Sequence, residues 1–213
     1  MTNSAYAKLT GTLIGIWFLL SFALSALRVF RNTADTIGIA VAIGASAPIV
    51  LFALWFAASS RFRQFLQSLD PRALTYLQSW RIAGFMFIAL QTYGILPALF
   101  ASPAGYGDMF IGVTAPLVAL KLASPNHKGT FILWQLLGIA DLVTAVGLGV
   151  TDRFIHPQGP PMLAMTVLPL SLIPTFLVPL FLIFHIICVA NSSRLHEPEF
   201  LRVRTSGSAQ LPA

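Results

Sequence analysis

Residues 80–116, WRIAGFMFIALQTYGILPALFASPAGYGDMFIGVTAP, place arginine, glutamine, aspartate, glycine and proline between stretches that are mostly Leu, Ile, Val, Phe and Ala. In the whole chain only 9% of residues are charged and 56% are hydrophobic, whereas an ordinary soluble domain has about 25% charged residues. A soluble fold of 213 residues could not bury that much apolar surface. Because a membrane-spanning backbone must satisfy its own hydrogen bonds, we predict an all-α, polytopic transmembrane helical bundle.

Apolar runs close to the roughly 20 residues that a membrane-spanning helix needs recur along the chain. We predict six spans, at 9–27, 36–57, 79–100, 109–122, 130–150 and 162–190. A cleaved signal peptide is the alternative for the first run, but that run is longer than the apolar part of most signal peptides. The single transmembrane domain would cover 1–193, and the polar segment 194–213 is predicted to be a disordered cytoplasmic tail.

A short amphipathic helix is predicted at 61–69, between the second and third spans. Phe62, Phe65 and Leu66 recur there at helical spacing, which is typical of a helix with one apolar face. That face either lies in the membrane interface or packs under the bundle, and the sequence leaves both alternatives open. The next helix is predicted to begin at Pro71, with Asp70 as its N-cap.

Basic residues predict the orientation of the bundle, because cytoplasmic loops carry an excess of Lys and Arg. The six-span arrangement puts ten of them on one side and three on the other, which favours cytoplasmic termini. The larger set is Lys8, Arg61, Arg63, Arg72, Arg81, Lys121, Lys128, Arg194, Arg202 and Arg204, and the smaller set is Arg28, Arg31 and Arg153. They form no patch interleaved with aromatics, so nucleic acid is not an expected partner.

Two pairs of segments resemble each other in the same order along the chain. The sequence GASAPIV at 44–50 parallels GVTAPLV at 112–118, and WRIAG at 80–84 parallels WQLLG at 134–138. They suggest a parallel repeat of helical hairpins, spans 2–3 and 4–5, as in some transporters. Chance similarity is the alternative, because Gly, Ala and Pro are common in membrane helices.

Polar residues inside the spans are the candidate binding residues, because a central carboxylate costs about 2.5–3.5 kcal/mol to insert and seldom faces lipid. Asp141 lies near the middle of the fifth span, Gln91 near the middle of the third and Thr114 near the middle of the fourth. We expect them to line a midplane pocket, with Asp141 as a proton or cation site and Gln91 as its hydrogen-bond partner. The alternative is that Asp141 only holds helices together by hydrogen bonding.

Two further charged residues are predicted to lie away from this midplane layer. Arg81 follows Trp80 at the inner face, where the pair would anchor the interface or bind an acidic headgroup or anionic substrate. Asp108 would lie at the outer face as the cap of the fourth span, paired with Arg28, Arg31 or Arg153. At these levels Arg81, Asp108 and the midplane residues could not form one cluster.

The sequence predicts no metal site and no cofactor. Cys188 is the single cysteine, which excludes disulfides and cysteine metal clusters within one chain. His185 is the one histidine inside a span, and haem ligation through it is not expected because a second buried histidine is missing. We interpret His185 as a packing or interface residue near the cytoplasmic end.

Several runs resemble a group of uncharacterised bacterial multispanning membrane proteins. They lie at 79–81, 94–97, 100–108, 112–116 and 173–179, so the resemblance covers roughly the third to sixth spans. It implies a setting in the bacterial inner membrane and carries over no activity and no catalytic residue.

The functional prediction is therefore binding or transport of a small molecule or ion at a midplane pocket. A membrane enzyme acting on a lipid or isoprenoid substrate through Asp108 or Arg81 is one alternative, although no carboxylate cluster or metal motif accompanies those residues. A structural or regulatory membrane partner is the other. The sequence favours a protein without enzymatic activity but leaves that point open. The expected partners are the lipid bilayer, a small-molecule or ion ligand and, in a homo-oligomer, further copies of the chain.

Overall fold

A computed structural model describes residues 3–31, 38–155 and 159–195, and the regular structure within these ranges is entirely helical. The α-helices are α1 Asn3–Ala26, α2 Ile39–Ala58, α3 Ser60–Gln67, α4 Pro71–Leu77, α5 Phe85–Thr92, α6 Ala98–Leu117, α7 Lys128–Ile155 and α8 Val178–Ala190. A 3-10 helix, Gln78–Gly84, joins α4 to α5, and π-helical turns follow α6 and precede α8. The all-α prediction is confirmed for these ranges. The predicted disordered tail lies outside them from residue 196 onward.

Four helices of the described residues are long and apolar enough to cross a membrane, judged by length and composition. They are Ser4–Ala26, Ile39–Ala58, Pro125–Asp152 and Ile173–Ala190. This finding corrects the predicted number of six spans. The chain at 79–100 is not one helix, because it changes from a 3-10 helix to α5 and then turns at Gly94, whose φ is +67°.

The fourth predicted span, 109–122, was also wrong at its start. Helix α6 begins at Ala98, directly after the extended residue Pro97, so the predicted turn at 102–108 is helical. Its glycines allow close helix contact rather than a reversal. A methyl group on Gly105 would lie 2.6 Å from Ile88 Cδ1 and 3.0 Å from the Gly84 carbonyl oxygen.

The sixth predicted span, 162–190, is interrupted in its first half. A 3-10 helix runs from Met162 to Thr166, and the π-helical turn Ile173–Leu177 leads into α8. Prolines 169, 174 and 179 lie in this region. Proline lacks the backbone N–H that the interior of an α-helix needs, but it is tolerated in the first turn. The α-helix α8 therefore begins only at Val178, after Pro169 and Pro174, with Pro179 in its first turn.

Helix α3 places its apolar face inside the protein. The Phe62 ring stacks on Trp55 with a centroid distance of 3.9 Å, and Phe65 stacks on Tyr6 at 5.8 Å. Both phenylalanines are buried. Of the two alternatives for this segment, the structure therefore supports packing under the bundle.

The predicted helix start at Pro71 is confirmed. Asp70 is the N-cap of α4, and its Oδ1 accepts a hydrogen bond of 2.9 Å from the Arg72 backbone N–H. The Arg72 guanidinium then donates to the Ala123 carbonyl oxygen at 3.0 and 3.2 Å. This contact connects the start of α4 to the chain segment that follows α6.

The outer surface of the bundle is apolar. No residue of α2 is buried, although its sequence is almost entirely hydrophobic, and large apolar side chains such as Leu19, Leu51 and Val143 are more than half exposed. Exposed apolar surface of this extent is typical of contact with a membrane or a partner.

The proposed parallel repeat stays a prediction. Its paired tryptophans lie in different surroundings, because Trp80 is 74% exposed and Trp134 is 6% exposed. Its paired glycines also differ: a methyl group on Gly44 would meet the side chains of Phe30 and Thr175, whereas one on Gly112 would meet backbone.

Candidate functional site

Arg81 lies at the centre of a buried polar cluster in the middle of the protein. Its side chain is 1% exposed, and each guanidinium nitrogen has a partner. Nε donates to Asp108 Oδ1 at 2.6 Å, Nη2 donates to Asp141 Oδ2, and Nη1 donates to His185 Nε2 at 3.1 Å. One cation thus joins two carboxylates and an imidazole from three different helices.

The cluster forms because these residues lie at the same level of their helices. Arg81 comes ten residues after the start of α4 at Pro71, and Asp108 comes ten residues after the start of α6 at Ala98. Asp141 comes thirteen residues after the start of α7. Each of them is therefore close to the middle of its helical segment.

Glycines provide the space that the polar side chains occupy. A methyl group on Gly84 would collide with Asp108, one on Gly107 with Asp141, and one on Gly138 with the His185 ring. Small residues of this kind allow two helices to approach closely. In this cluster they also bring each charged or polar side chain against the backbone of the neighbouring helix.

The tautomer of His185 follows from its partners. Arginine can only donate hydrogen bonds, so His185 Nε2 accepts from Arg81. The proton is then on Nδ1, which donates to Gln135 Oε1 at 2.5 Å. A neutral imidazole with its proton on Nδ1 satisfies both contacts.

The hydrogen bonds continue from the imidazole to the start of α4. Gln135 Nε2 donates to Thr75 Oγ1 at 2.9 Å, and Thr75 Oγ1 donates to the Pro71 carbonyl oxygen at 2.7 Å. The Thr75, Gln135 and His185 side chains are all fully buried. A polar chain therefore connects the Arg81 cluster with one end of the helical bundle.

The formal charges of the cluster do not balance. One guanidinium faces two carboxylates, whose side chains are only 18% and 17% exposed, and the imidazole is neutral in the arrangement described above. With both carboxylates ionised the cluster carries a charge of −1. A buried charge is costly unless it is paired, so a proton or another cation would stabilise this arrangement.

The structure brings together three of the five predicted site residues: Asp141, Arg81 and Asp108. The prediction that they occupy separate levels was wrong. Arg81 does not anchor the interface, because it is buried while the adjacent Trp80 is exposed. Successive residues of a 3-10 helix point about 120° apart, so neighbours in the chain can face opposite environments.

Asp108 is not a helix cap. It lies within α6, and Pro97 occupies the position before that helix. Its ionic partner is Arg81, where the sequence suggested Arg28, Arg31 or Arg153. The side chain of Arg153 lies outside the described part of the structure.

Gln91 and Thr114 form other contacts. Gln91 Oε1 accepts a hydrogen bond of 2.7 Å from Ser102, so the predicted pairing of Gln91 with Asp141 was wrong. Thr114 Oγ1 accepts from Trp134 Nε1 at 2.9 Å and donates to the Phe110 carbonyl oxygen. Both residues connect helices outside the Arg81 cluster.

Sequence reasoning missed His185, Gln135 and Thr75 as members of the polar cluster. One signal was present, because Gln135 and Asp141 are six residues apart and Gly138 lies midway between them, which places all three close to one face of a helix. His185 was interpreted as a packing residue near one end of its span, whereas both of its ring nitrogens are engaged here. In the described residues no group of three or more His, Cys, Asp or Glu side chains is placed to hold a metal ion.

The fold and this site define an all-helical protein, in its described ranges, with four helices suited to a membrane and a buried cluster of charged residues. Residues 36–191 match the family model described as Domain of unknown function (DUF8737), and the chain belongs to that family. This result confirms the resemblance to an uncharacterised family. Comparison with curated proteins found no match, and neither did comparison with solved structures.

Proposed function

We propose that this protein is an integral membrane protein that binds a proton at the Asp108–Asp141 pair and uses this site in the transport of a small solute or ion. The observation that carries the proposal is that two carboxylates, whose side chains are only 18% and 17% exposed, share the single guanidinium of the buried Arg81. A purely structural ion pair needs only one carboxylate for each guanidinium. The second carboxylate adds a negative charge that a proton can neutralise.

The membrane location is supported by the exposed apolar surface and by the four long apolar helices. In such an environment ionisable residues are rare, face the interior of the bundle and mark paths for ions or protons. Arg81, Asp108 and Asp141 fit this description, because they lie at the middle of their segments and face one another. The predicted inner-membrane location with cytoplasmic termini belongs to this proposal, and reporter fusions at both termini test the orientation.

A proton fits the cluster better than a hydrated metal ion. Asp141 lies against the backbone at Gly107, where even a methyl group would collide with its Oδ1 atom. Three sides of the guanidinium are already occupied by Asp108, Asp141 and His185. A proton requires no additional volume and neutralises one of the two carboxylates.

Infrared spectroscopy of the protein in lipid nanodiscs tests proton binding directly. We expect a band from a protonated carboxylic acid near neutral pH that disappears as the pH rises. The band should be absent from Asp108→Asn and Asp141→Asn, because each variant leaves one carboxylate for one guanidinium. Asp70→Asn is the matched control, since Asp70 is exposed and caps α4. If the wild-type band is missing, or if it persists in both cluster variants, the protein does not bind a proton at this site.

Transport requires a separate measurement. Wild-type protein in vesicles that contain a pH-sensitive dye should admit protons when a potassium diffusion potential is applied, and Asp141→Asn should not. A wild-type protein that binds the proton but gives no flux above empty vesicles would contradict transport of the proton itself through this site.

A structural role is the second candidate, and the closure of the cluster favours it. Arg81 is almost completely buried and each of its nitrogens is hydrogen-bonded, which is what helix-to-helix adhesion requires. In that case the cluster variants would alter stability without any change in proton flux. The membrane-enzyme alternative loses its proposed interfacial residues, because Arg81 and Asp108 are both in the buried cluster.

A further inference from the structure

A second polar site lies where α1 ends, far in sequence from the Arg81 cluster and sharing no residue with it. A half-open cleft of about 690 Å³ is lined on one side by Ser25, Arg28 and Arg31. The segment 163–168 forms the other side. A cleft of this volume is within the range of small-molecule binding sites, which is roughly 300–1,000 Å³.

The two arginines of this cleft differ from four other arginines of the described residues. Arg63, Arg72, Arg81 and Arg194 all donate hydrogen bonds through their guanidinium groups. Within the described ranges, the guanidinium groups of Arg28 and Arg31 take part in neither an ion pair nor a hydrogen bond. Two unpaired cations therefore face the same cleft, and its described lining contains no acidic residue.

A buried hydroxyl group adds a third polar group to this side of the cleft. Ser25 is 2% exposed, and its Oγ atom has no hydrogen-bond partner. A buried polar group without a partner is destabilising, so a ligand that accepts a hydrogen bond here would remove that cost.

The backbone conformation of Arg28 also distinguishes this position. Its φ is +60°, in the left-handed region that helix ends usually fill with glycine. This conformation is energetically costly for an L-residue with a side chain. Such costs are concentrated at binding and catalytic sites, which agrees with a role for the Arg28 side chain.

The opposite wall of the cleft is largely apolar, because it contains Leu163, Val167 and Leu168. Helix α1 is one of the four candidate membrane spans and ends at Ala26, so the cleft lies at the end of a span. That is the level at which the phosphate groups of lipids meet water. Guanidinium groups and hydroxyls are the usual partners of phosphate oxygens.

We propose that this cleft binds a phosphate group, carried by an anionic phospholipid whose acyl chain lies along the apolar wall or present as free inorganic phosphate. Arg28 and Arg31 donate to the phosphate oxygens, and Ser25 donates a third hydrogen bond. The two sources differ in one respect, since only a lipid would use Leu163, Val167 and Leu168.

The test uses the full chain purified in a maltoside detergent, which contains no phosphate. Thermal unfolding is followed while phosphatidylglycerol, phosphatidylcholine or inorganic phosphate is added. We expect phosphatidylglycerol to raise the unfolding temperature of the wild-type protein more than phosphatidylcholine does. It should bind at least about tenfold more weakly to Arg28→Gln/Arg31→Gln than to the wild type, because charge-assisted hydrogen bonds are lost. Arg61→Gln is the matched control, since Arg61 is exposed and lies outside the cleft.

Each outcome decides the proposal. Protection by phosphatidylglycerol alone identifies a lipid, and protection by inorganic phosphate at the same arginines identifies the free anion. The proposal is overturned if neither phosphatidylglycerol nor inorganic phosphate protects the wild-type protein. It is also overturned if Arg61→Gln weakens the binding of the protecting compound as much as the double variant does. If the double variant does not fold, Arg28→Lys/Arg31→Lys replaces it, because this variant keeps both charges but loses the paired guanidinium donors. Phosphatidylglycerol binding to the lysine variant that is unchanged from the wild type would equally contradict the proposal.

Discussion

Replacing Arg81 by methionine should strongly destabilise the protein. The substitution keeps an unbranched side chain of similar length but removes the cation that pairs with Asp108 and Asp141. Removing one partner from a buried ion pair costs about 3–5 kcal/mol, because the remaining charge is left unpaired. For a chain of about this size, that corresponds to an unfolding temperature lower by roughly 6–20 °C.

The size of this effect depends on the carboxylates that remain. Asp108→Asn alone should change the free energy of unfolding by no more than about 1 kcal/mol, because one guanidinium and one carboxylate stay paired and the amide still accepts a hydrogen bond. The triple variant Arg81→Met/Asp108→Asn/Asp141→Asn contains no charge in the cluster. It should recover a substantial part of the stability lost in Arg81→Met.

The assay is thermal unfolding in detergent, followed by tryptophan fluorescence. Trp134 is a suitable probe because its ring centroid lies 5.7 Å from that of His185. The reasoning is refuted if Arg81→Met unfolds within about 2 °C of the wild type, which is about 1 kcal/mol or less. It is also refuted if the triple variant is as unstable as Arg81→Met, since loss of packing rather than unpaired charge would then explain the result.

Three further predictions concern packing and capping, and unfolding temperature measures each of them. Gly112→Ala should destabilise the protein by about 1–3 kcal/mol through overpacking against the backbone at Ile82. Gly11 has open space around it, so Gly11→Ala should be neutral or stabilising by up to about 1 kcal/mol. Equal effects of the two substitutions would contradict the close contact at Gly112. Phe62→Ala should cost about 3–5 kcal/mol, because the ring is buried, and a loss below about 1 kcal/mol would argue against burial of this face. Asp70→Ala should cost about 1 kcal/mol through loss of the N-cap, whereas Asp70→Asn should cost almost nothing.

Composition and local patterns were enough to predict the helical class and several local features. The Asp70–Pro71 helix start depends on neighbouring residues only, and the structure confirms it. The apolar face of α3 was also evident, because residues 62, 65 and 66 recur at helical spacing. What covers this face was not evident, because Trp55 and Tyr6 come from other helices and spacing within one helix carries no information about its partner.

The helices around α6 were harder to predict because glycine and proline occur both in turns and where helices pack closely. Gly105 and Gly107 resembled turn residues next to Pro103, and that interpretation ended the third span at residue 100. In the structure they permit contact with Ile88 and Asp141. The local sequence of a tight turn and that of a close helix crossing are similar, so only the tertiary partner distinguishes them.

The position of Asp108 shows how one helix boundary determined the predicted site. An α-helix rises about 1.5 Å per residue, so a start at residue 98 rather than 109 moves Asp108 by roughly 15 Å from the end of the helix toward its middle. That distance is about half of the hydrocarbon thickness of a bilayer. Arg81 was assigned to the start of a span at residue 79, although the helix was correctly predicted to begin at Pro71. The helical segment from that start continues to Thr92, so Arg81 lies near its middle. The sequence identified both residues as candidate site residues but placed them at the ends of their spans. Their positions near the middle of their helices bring them to the level of Asp141.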